Sequence, residues 1–169
     1  MVYDIHVRLG EVPSDQYFDE EPNVASAPTI VDVTLPDIAF TMETDRGVFS
    51  YGHLDTATSM LLRADLALAP TGNLLDLGCG SGAIALTMAL RSPDATVWAL
   101  DVNGRARELC VRNAERNGIG NMVVAHPDEI PADDTPLDWT ALAAGVRPPD
   151  AAEDAWNAVW TTVQEQVGT

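Results

Sequence analysis

The chain has 169 residues with a formal net charge of −17, and its 46% hydrophobic and 21% charged content is that of a globular protein rather than a disordered one. No run approaches the roughly 18 apolar residues of a membrane span and no basic-then-apolar leader opens the chain, so no membrane partner and a cytoplasmic location are expected. All nine Lys-or-Arg positions are arginine, and a field of this sign slows approach to nucleic acid; the acidity reflects either solubility or a salty or arginine-favouring proteome, or a chain that does not bind a polyanion unaided.

Val2 to Leu9 alternates apolar and polar residues, which predicts a half-buried strand. Gly10, Pro13, Pro22 and Pro28 with several acids make residues 10 to 28 a loop, in which Tyr17 and Phe18 are anchoring aromatics. Two strands, Ile30 to Leu35 and Ile38 to Met42, flank the turn pair Pro36-Asp37, and Gly47 to Ser50 adds a candidate third. Asp55 through Thr58 offers a helix cap. Ala57, Met60, Leu61, Ala64 and Leu68 then recur at helical spacing.

The stretch Asn73-Leu74-Leu75-Asp76-Leu77-Gly78-Cys79-Gly80-Ser81-Gly82 reads as a buried strand ending in an acid and three alternating glycines, followed by a helix towards Arg91. Glycines there let the backbone turn tightly and pass close to a ligand. Thr96 to Leu100 forms a second buried strand closed by Asp101, and Gly82 to Asp101 is roughly the 20-residue interval at which a carboxylate meets a ribose diol. Ala106, Leu109, Cys110, Asn113 and Ala114 mark a helix face, stopped near Asn117-Gly118, and Met122 to Ala125 is a third strand leading to His126-Pro127-Asp128. Cys79 and Cys110 are expected as thiols in a reducing compartment, and no metal site is expected.

Two cofactor classes use such a glycine turn. Gly78-x-Gly80-x-x-Ala83 satisfies the dinucleotide fingerprint, which keeps an NAD-dependent oxidoreductase as an alternative. Asp76, two residues before the first glycine, suits a cationic amino group and repels a pyrophosphate.

Asp76-Leu77-Gly78-Cys79-Gly80-Ser81-Gly82 resembles the first motif of class I S-adenosylmethionine-dependent methyltransferases, and Asp101-Val102-Asn103 resembles the second. The segment Thr44 to Thr58 is similar to the entry segment of the methyltransferase small domain family, whose best-known members modify the exocyclic amine of a guanine in small-subunit ribosomal RNA. The resemblance spans roughly residues 15 to 130. It implies an α/β fold: a partial doubly wound, Rossmann-like parallel sheet in 3-2-1 order with antiparallel N-terminal strands and a C-terminal helical tail. The corresponding division is 1–54 for the N-terminal strands and entry segment, 55–130 for the cofactor-binding core and 131–169 for the tail.

The resemblance further implies S-adenosylmethionine as cofactor. Asp76, Gly78 and Gly80 hold its amino-acid portion, Asp101 the ribose and Asp128 the adenine; Cys79, Gly82 and Val102 are further cofactor-binding positions, and Thr58 lines the pocket, with Phe49 and Tyr51 at the mouth. Ribosomal RNA or the small subunit is the implied partner. The family's Asn-Pro-Pro substrate motif is missing; Arg147-Pro148-Pro149-Asp150 is the nearest string, so no residue is assigned as catalytic. Asp150 and Glu153 imitate a capping box before a helix with Trp156 and Trp160 on one stripe. With no fourth strand in evidence, strand 73–77 is expected to be a sheet edge, covered by the Trp156/Trp160 helix or by a second copy of the chain. The alternative to an active enzyme is a non-catalytic or truncated S-adenosylmethionine-binding or interaction protein.

Overall fold

A computed structural model describes residues 20–64 and 68–129 in full and the backbone of residues 139–141. The strand expected at Val2–Leu9, the Tyr17/Phe18 anchor and the Trp156/Trp160 helix lie outside the described residues.

Strands β1 (Thr29–Thr34) and β2 (Ala39–Thr44) form an antiparallel hairpin in register Thr34↔Ala39, closed by Leu35 N donating to Ile38 O at 2.9 Å. Alternation puts Val33, Phe40 and Met42 into the core. The candidate strand at Gly47–Ser50 is instead a turn. Gly47 at φ 80° and Ser50 at φ 66° take left-handed backbone conformations that a strand does not contain.

Helix α1 (Thr56–Arg63) starts where Asp55 accepts from the amides of Ala57 and Thr58, both at 2.9 Å. It ends earlier than the apolar stripe predicts. Ala64 already has ψ 150°, and Leu68 packs on the same core from beyond the helix, so helical spacing continued where helical backbone did not.

Strand β3 (Thr71–Leu77), helix α2 (Ala83–Arg91), strand β4 (Asp94–Leu100), helix α3 (Gly104–Arg116) and strand β5 (Met122–Ala125) are two consecutive crossover units. The sheet order is β5-β4-β3-β6, with all pairings parallel, and its first three members are in the expected 3-2-1 order. β6 (Trp139–Ala141) corrects the expectation that strand 73–77 is an edge. It pairs with Asn73, Leu74 and Leu75, covering part of that side with a strand too short to show a periodicity.

The sheet's two faces feed separate clusters. Leu74, Val97 and Ala99 join Val33, Phe40 and Met42 of the hairpin and Ile84 to Ala89 of α2 in one core. Leu75, Leu77, Leu100 and Ala125 form the other, with Trp98 against them. Arg91 at the end of α2 binds Asp37 of the hairpin turn through Nε at 2.7 Å and Nη2 at 2.8 Å, and also reaches Leu62 O at 3.0 Å. Hairpin, α1 and α2 are thereby tied together at the far end from the glycine turn. Among the described residues no helix is long and apolar enough to cross a membrane.

Candidate functional site

The glycine turn stands at the C-terminal ends of parallel strands, the place where open α/β sheets accept ligands. Gly78, Gly80 and Gly82 have φ of 76°, 53° and 95°, in the region that L side chains avoid. Gly78 N and Cys79 N both donate to Leu100 O, at 2.8 and 3.0 Å, which anchors the turn to the end of β4. The glycines differ in what surrounds them. A Cβ at Gly78 would meet nothing within 4 Å and one at Gly80 only Val48 Cγ1 at 3.9 Å, whereas one at Gly82 would lie 2.8 Å from Cys110 Sγ. Gly78 and Gly80 therefore leave open a cradle of main chain, and Gly82 is there for the close approach of α3.

Two carboxylates brace this cradle. Asp76 is fully buried beneath the turn; its Oδ2 accepts from Ala85 N at 2.9 Å, capping α2 from the neighbouring strand because Gly82 has no side chain to do so. Its Oδ1 has no protein partner. Burial pushes the Asp76 carboxyl up to about 7, against the pull of the Ala85 amide and with help from the charge of Asp101. Asp101 accepts from Gly80 N through Oδ2 at 2.8 Å and from Asn103 N through Oδ1 at 2.9 Å. Desolvation raises its pKa, partly offset by those two amides and by Arg107 and His126. A site with an orphaned buried carboxylate oxygen, a second acid beside it and an unfilled main-chain cradle favours a cation carrying polar groups.

The entry segment forms a wall. Val48 is buried against the turn while Phe49 and Tyr51 are exposed, with the Arg46 guanidinium 5.7 Å from the Tyr51 ring centroid. The first turn of α3 holds that wall: Asn103 Nδ2 donates to Gly47 O at 2.9 Å and Arg105 Nη1 to Arg46 O at 2.7 Å. Ser50 combines its left-handed φ with a buried hydroxyl that has no partner, a kind of strain that clusters at ligand sites.

A family model described as "Methyltransferase small domain" matches residues 39–139, from β2 through the glycine turn to the start of β6. The chain belongs to this family. Methyltransferase small domain proteins use S-adenosylmethionine. The chain is 37% identical over 115 residues to protein YbxB of Bacillus subtilis, covering 68% of this chain and 57% of that one. It is 33% identical over 120 residues to ribosomal RNA small subunit methyltransferase C of Pseudomonas putida, covering 71% and 36%. The chain thus spans 57% and 36% of the length of these two relatives. Among solved structures it resembles a 16S rRNA methyltransferase of T. thermophilus in complex with AdoMet and guanosine, with TM-score 0.53 and 26% identity over 62% of this chain and 29% of that one.

Within this family frame, the structure brings Asp76, Gly78, Cys79, Gly80, Gly82, Asp101 and Val102 together in and beside the turn. Cys79 is buried, its thiol pushed well above its ordinary pKa by the neighbouring Cys110 thiol and by burial; both cysteines are free. Val102 O and Asp101 O receive Arg107 Nη1, each at 2.8 Å. Thr58 lies in the first turn of α1, its amide on Asp55. Asp128 is exposed in a 3-10 turn, Pro127–Glu129, after β5, with its carboxylate 3.5 Å from His126 Nδ1. Among the described residues, no hydrogen bond joins Thr58 or Asp128 to the glycine turn.

Sequence reasoning missed the positioning groups around these residues. Asn103 and Asn113 are almost fully buried and bond backbone on neighbouring elements. The available signal was an asparagine, Asn113, at an apolar-face position of α3. The described arginines also turn to internal partners. Arg91 takes Asp37, Arg112 and Arg116 take Glu43, Arg105 and Arg107 take backbone carbonyls, Arg63 takes Thr34 O, and Arg46 lies over Tyr51.

Proposed function

We propose that this protein binds S-adenosylmethionine in the cradle above Gly78 and Gly80 and directs its methyl group to a guanine amine of ribosomal RNA. The observation that carries the reading is the unfilled cradle with two acids against it, one of them with an orphaned oxygen. When bound, the cofactor supplies a methyl group already activated on a sulfonium, so the protein's contribution is positioning and exclusion of water. Asp76 sets the charge beneath the amino-acid end. Gly78 and Gly80 give main-chain contact, and Asp101 with Val102 faces the ribose side. Asp128 at the end of β5 stands on the same sheet edge for the adenine, Thr58 for the pocket lining, and Phe49 and Tyr51 for the mouth.

The ribosomal substrate is supported by the relatives' names and by the solved structure with AdoMet and guanosine. The second reading, a cofactor-binding protein without transfer activity, is favoured by Arg147-Pro148-Pro149-Asp150 standing without the family's asparagine. Both readings share the pocket and differ in turnover. Titration with S-adenosylhomocysteine, with NAD as the control arm, tests the pocket; micromolar binding of the first and none of the second is expected. Labelled methyl transfer to small-subunit RNA then separates enzyme from binder, and absence of nucleoside binding refutes both.

A further inference from the structure

Asn113 in the last turns of α3 and Asn117, the residue that caps its C-terminus, stand four residues apart on one side of the helix. They meet β2 on the edge that does not face β1, at alternate residues. The Asn113 amide accepts from Glu43 N at 2.7 Å and donates to Glu43 O at 2.8 Å; that of Asn117 accepts from Thr41 N at 3.1 Å and donates to Thr41 O at 2.8 Å. Each carboxamide takes the place of one peptide of a neighbouring strand. The second N–H of each amide distinguishes them. Asn117 keeps it within α3, on Asn113 O at 2.7 Å, while Asn113 sends it to Ser81 O at 2.8 Å, inside the glycine turn. Asn113 is fully buried, and these bonds use both its donors.

We propose that Asn113 is a positioning residue for the glycine turn, making the turn's conformation depend on the docking of the hairpin and of the entry segment that follows β2. The inference rests on reading that turn as the cofactor cradle. Among the described residues, three side chains hold the turn and the start of the helix it leads into: Asp101 on Gly80 N, Asp76 on Ala85 N in the first turn of α2, and Asn113 on Ser81 O. Two act from the sheet on which the turn is built. Asn113 alone among them also grips β2, so a hairpin that leaves α3 takes away the fixed amide that holds Ser81. A turn with glycines on both sides of Ser81 has little conformational preference of its own. Holding it in one shape before the ligand arrives removes an ordering cost from binding.

The test uses the full chain with Asn113→Asp and Asn117→Asp in parallel. An aspartate at 113 still accepts from Glu43 N but, ionised, sets oxygen against Glu43 O and Ser81 O. At 117 the same clash involves Thr41 O and Asn113 O, away from the turn. S-adenosylhomocysteine affinity and amide exchange at Gly82, which donates to Cys79 O, are measured at about pH 5.5 and about pH 8. The other ionisable groups around this position and the turn are Glu43 with Arg112 and Arg116, the thiols Cys79 and Cys110, and the acids Asp76, whose carboxyl is raised to about 7 by burial and so titrates inside this window, and Asp101; each variant is therefore compared with wild type at the same pH.

At the higher pH, Asn113→Asp is expected to weaken binding by about tenfold or more and to speed Gly82 exchange, with recovery at the lower pH as protonation restores a donor. Asn117→Asp is expected to lower stability while staying within about twofold of wild-type affinity. Equal loss of binding in both variants, or unchanged Gly82 exchange in Asn113→Asp, overturns the proposal. If wild type binds no S-adenosylhomocysteine, the cofactor reading fails and the exchange data still decide the coupling. Should Asn113→Asp not fold, Asn113→Ser is measured against Asn117→Ser at about pH 8, where weaker S-adenosylhomocysteine binding and faster Gly82 exchange in the first alone are expected, and equal loss of binding or unchanged Gly82 exchange overturns the proposal.

Discussion

Replacing Asp76 by asparagine isolates the cost of an acid placed under the glycine turn. Its carboxyl is fully buried with one oxygen on Ala85 N at 2.9 Å and the other without a protein partner, and burial moves its pKa from 3.8 to about 7. An acid whose folded pKa lies above its unfolded one keeps its proton longer in the folded state. Its effect is therefore absent below about pH 4, grows as a stability loss up to about pH 7, and is constant above that. At about 1.4 kcal/mol per pH unit, a separation of about three units gives a loss of about 4 kcal/mol by pH 8, and about 2 kcal/mol if the site relaxes around the charge. An amide can still accept from Ala85 N and cannot ionise. Urea unfolding of both proteins at about pH 4 and about pH 8 is the assay, because the difference between them cancels every other titrating group. Between those values Asp76→Asn should gain about 2–4 kcal/mol relative to wild type. A gap that stays fixed with pH, or one that moves in favour of the carboxylate, would refute the reasoning. The same substitution should weaken S-adenosylhomocysteine binding at pH 8, since an amide offers no charge to an ammonium group.

Gly82→Ala should destabilise by about 2–4 kcal/mol in thermal unfolding, because its Cβ lands 2.8 Å from Cys110 Sγ at a φ of 95°. Gly78→Ala meets no atom within 4 Å and should cost only the left-handed penalty of about 1–2 kcal/mol, yet abolish measurable nucleoside binding by filling the cradle. Asp101→Ala should weaken S-adenosylhomocysteine by about 1–3 kcal/mol in calorimetry; unchanged affinity would remove this residue from the site. Asp55→Ala removes both cap bonds of α1 and should cost about 1 kcal/mol at neutral pH. Its carboxyl is held below the ordinary range, burial being outweighed by bonds from Thr58 and Ala57, so this difference should vanish as pH falls through the folded pKa.

The glycine turn and its flanking acids were legible because their demands are local. Gly78 and Gly80 stand where the backbone must be left-handed, and Asp76 and Asp101 stand at the ends of two apolar runs. What was not legible depended on partners far along the chain. β6 is three residues long and owes its conformation to pairing with Asn73–Leu75, so no pattern within Trp139–Ala141 announces it. Gly82 looked like a ligand glycine, and only the packing of α3 reveals that Cys110 occupies the space beside it. The same holds for Asn113, whose meaning lies in Glu43 and Ser81, both remote in sequence. Helix α1 misled in the opposite direction, its stripe continuing to Leu68 after the backbone had become extended at Ala64.

The inward-turned arginines bear on how the protein would meet a polyanion. A strand approaching the described residues finds their arginines already engaged rather than free to displace its condensed counterions, and a chain net charge of −17 that pushes it away. Dissolved ions then assist association: screening shortens the reach of that repulsion from about 10 Å at 0.1 M to about 3 Å at 1 M. Association with RNA should accordingly strengthen as electrolyte is added, the reverse of the slope that phosphate-gripping proteins display. Recognition on such terms falls to base faces and sugar hydroxyls, whose contacts carry no net charge.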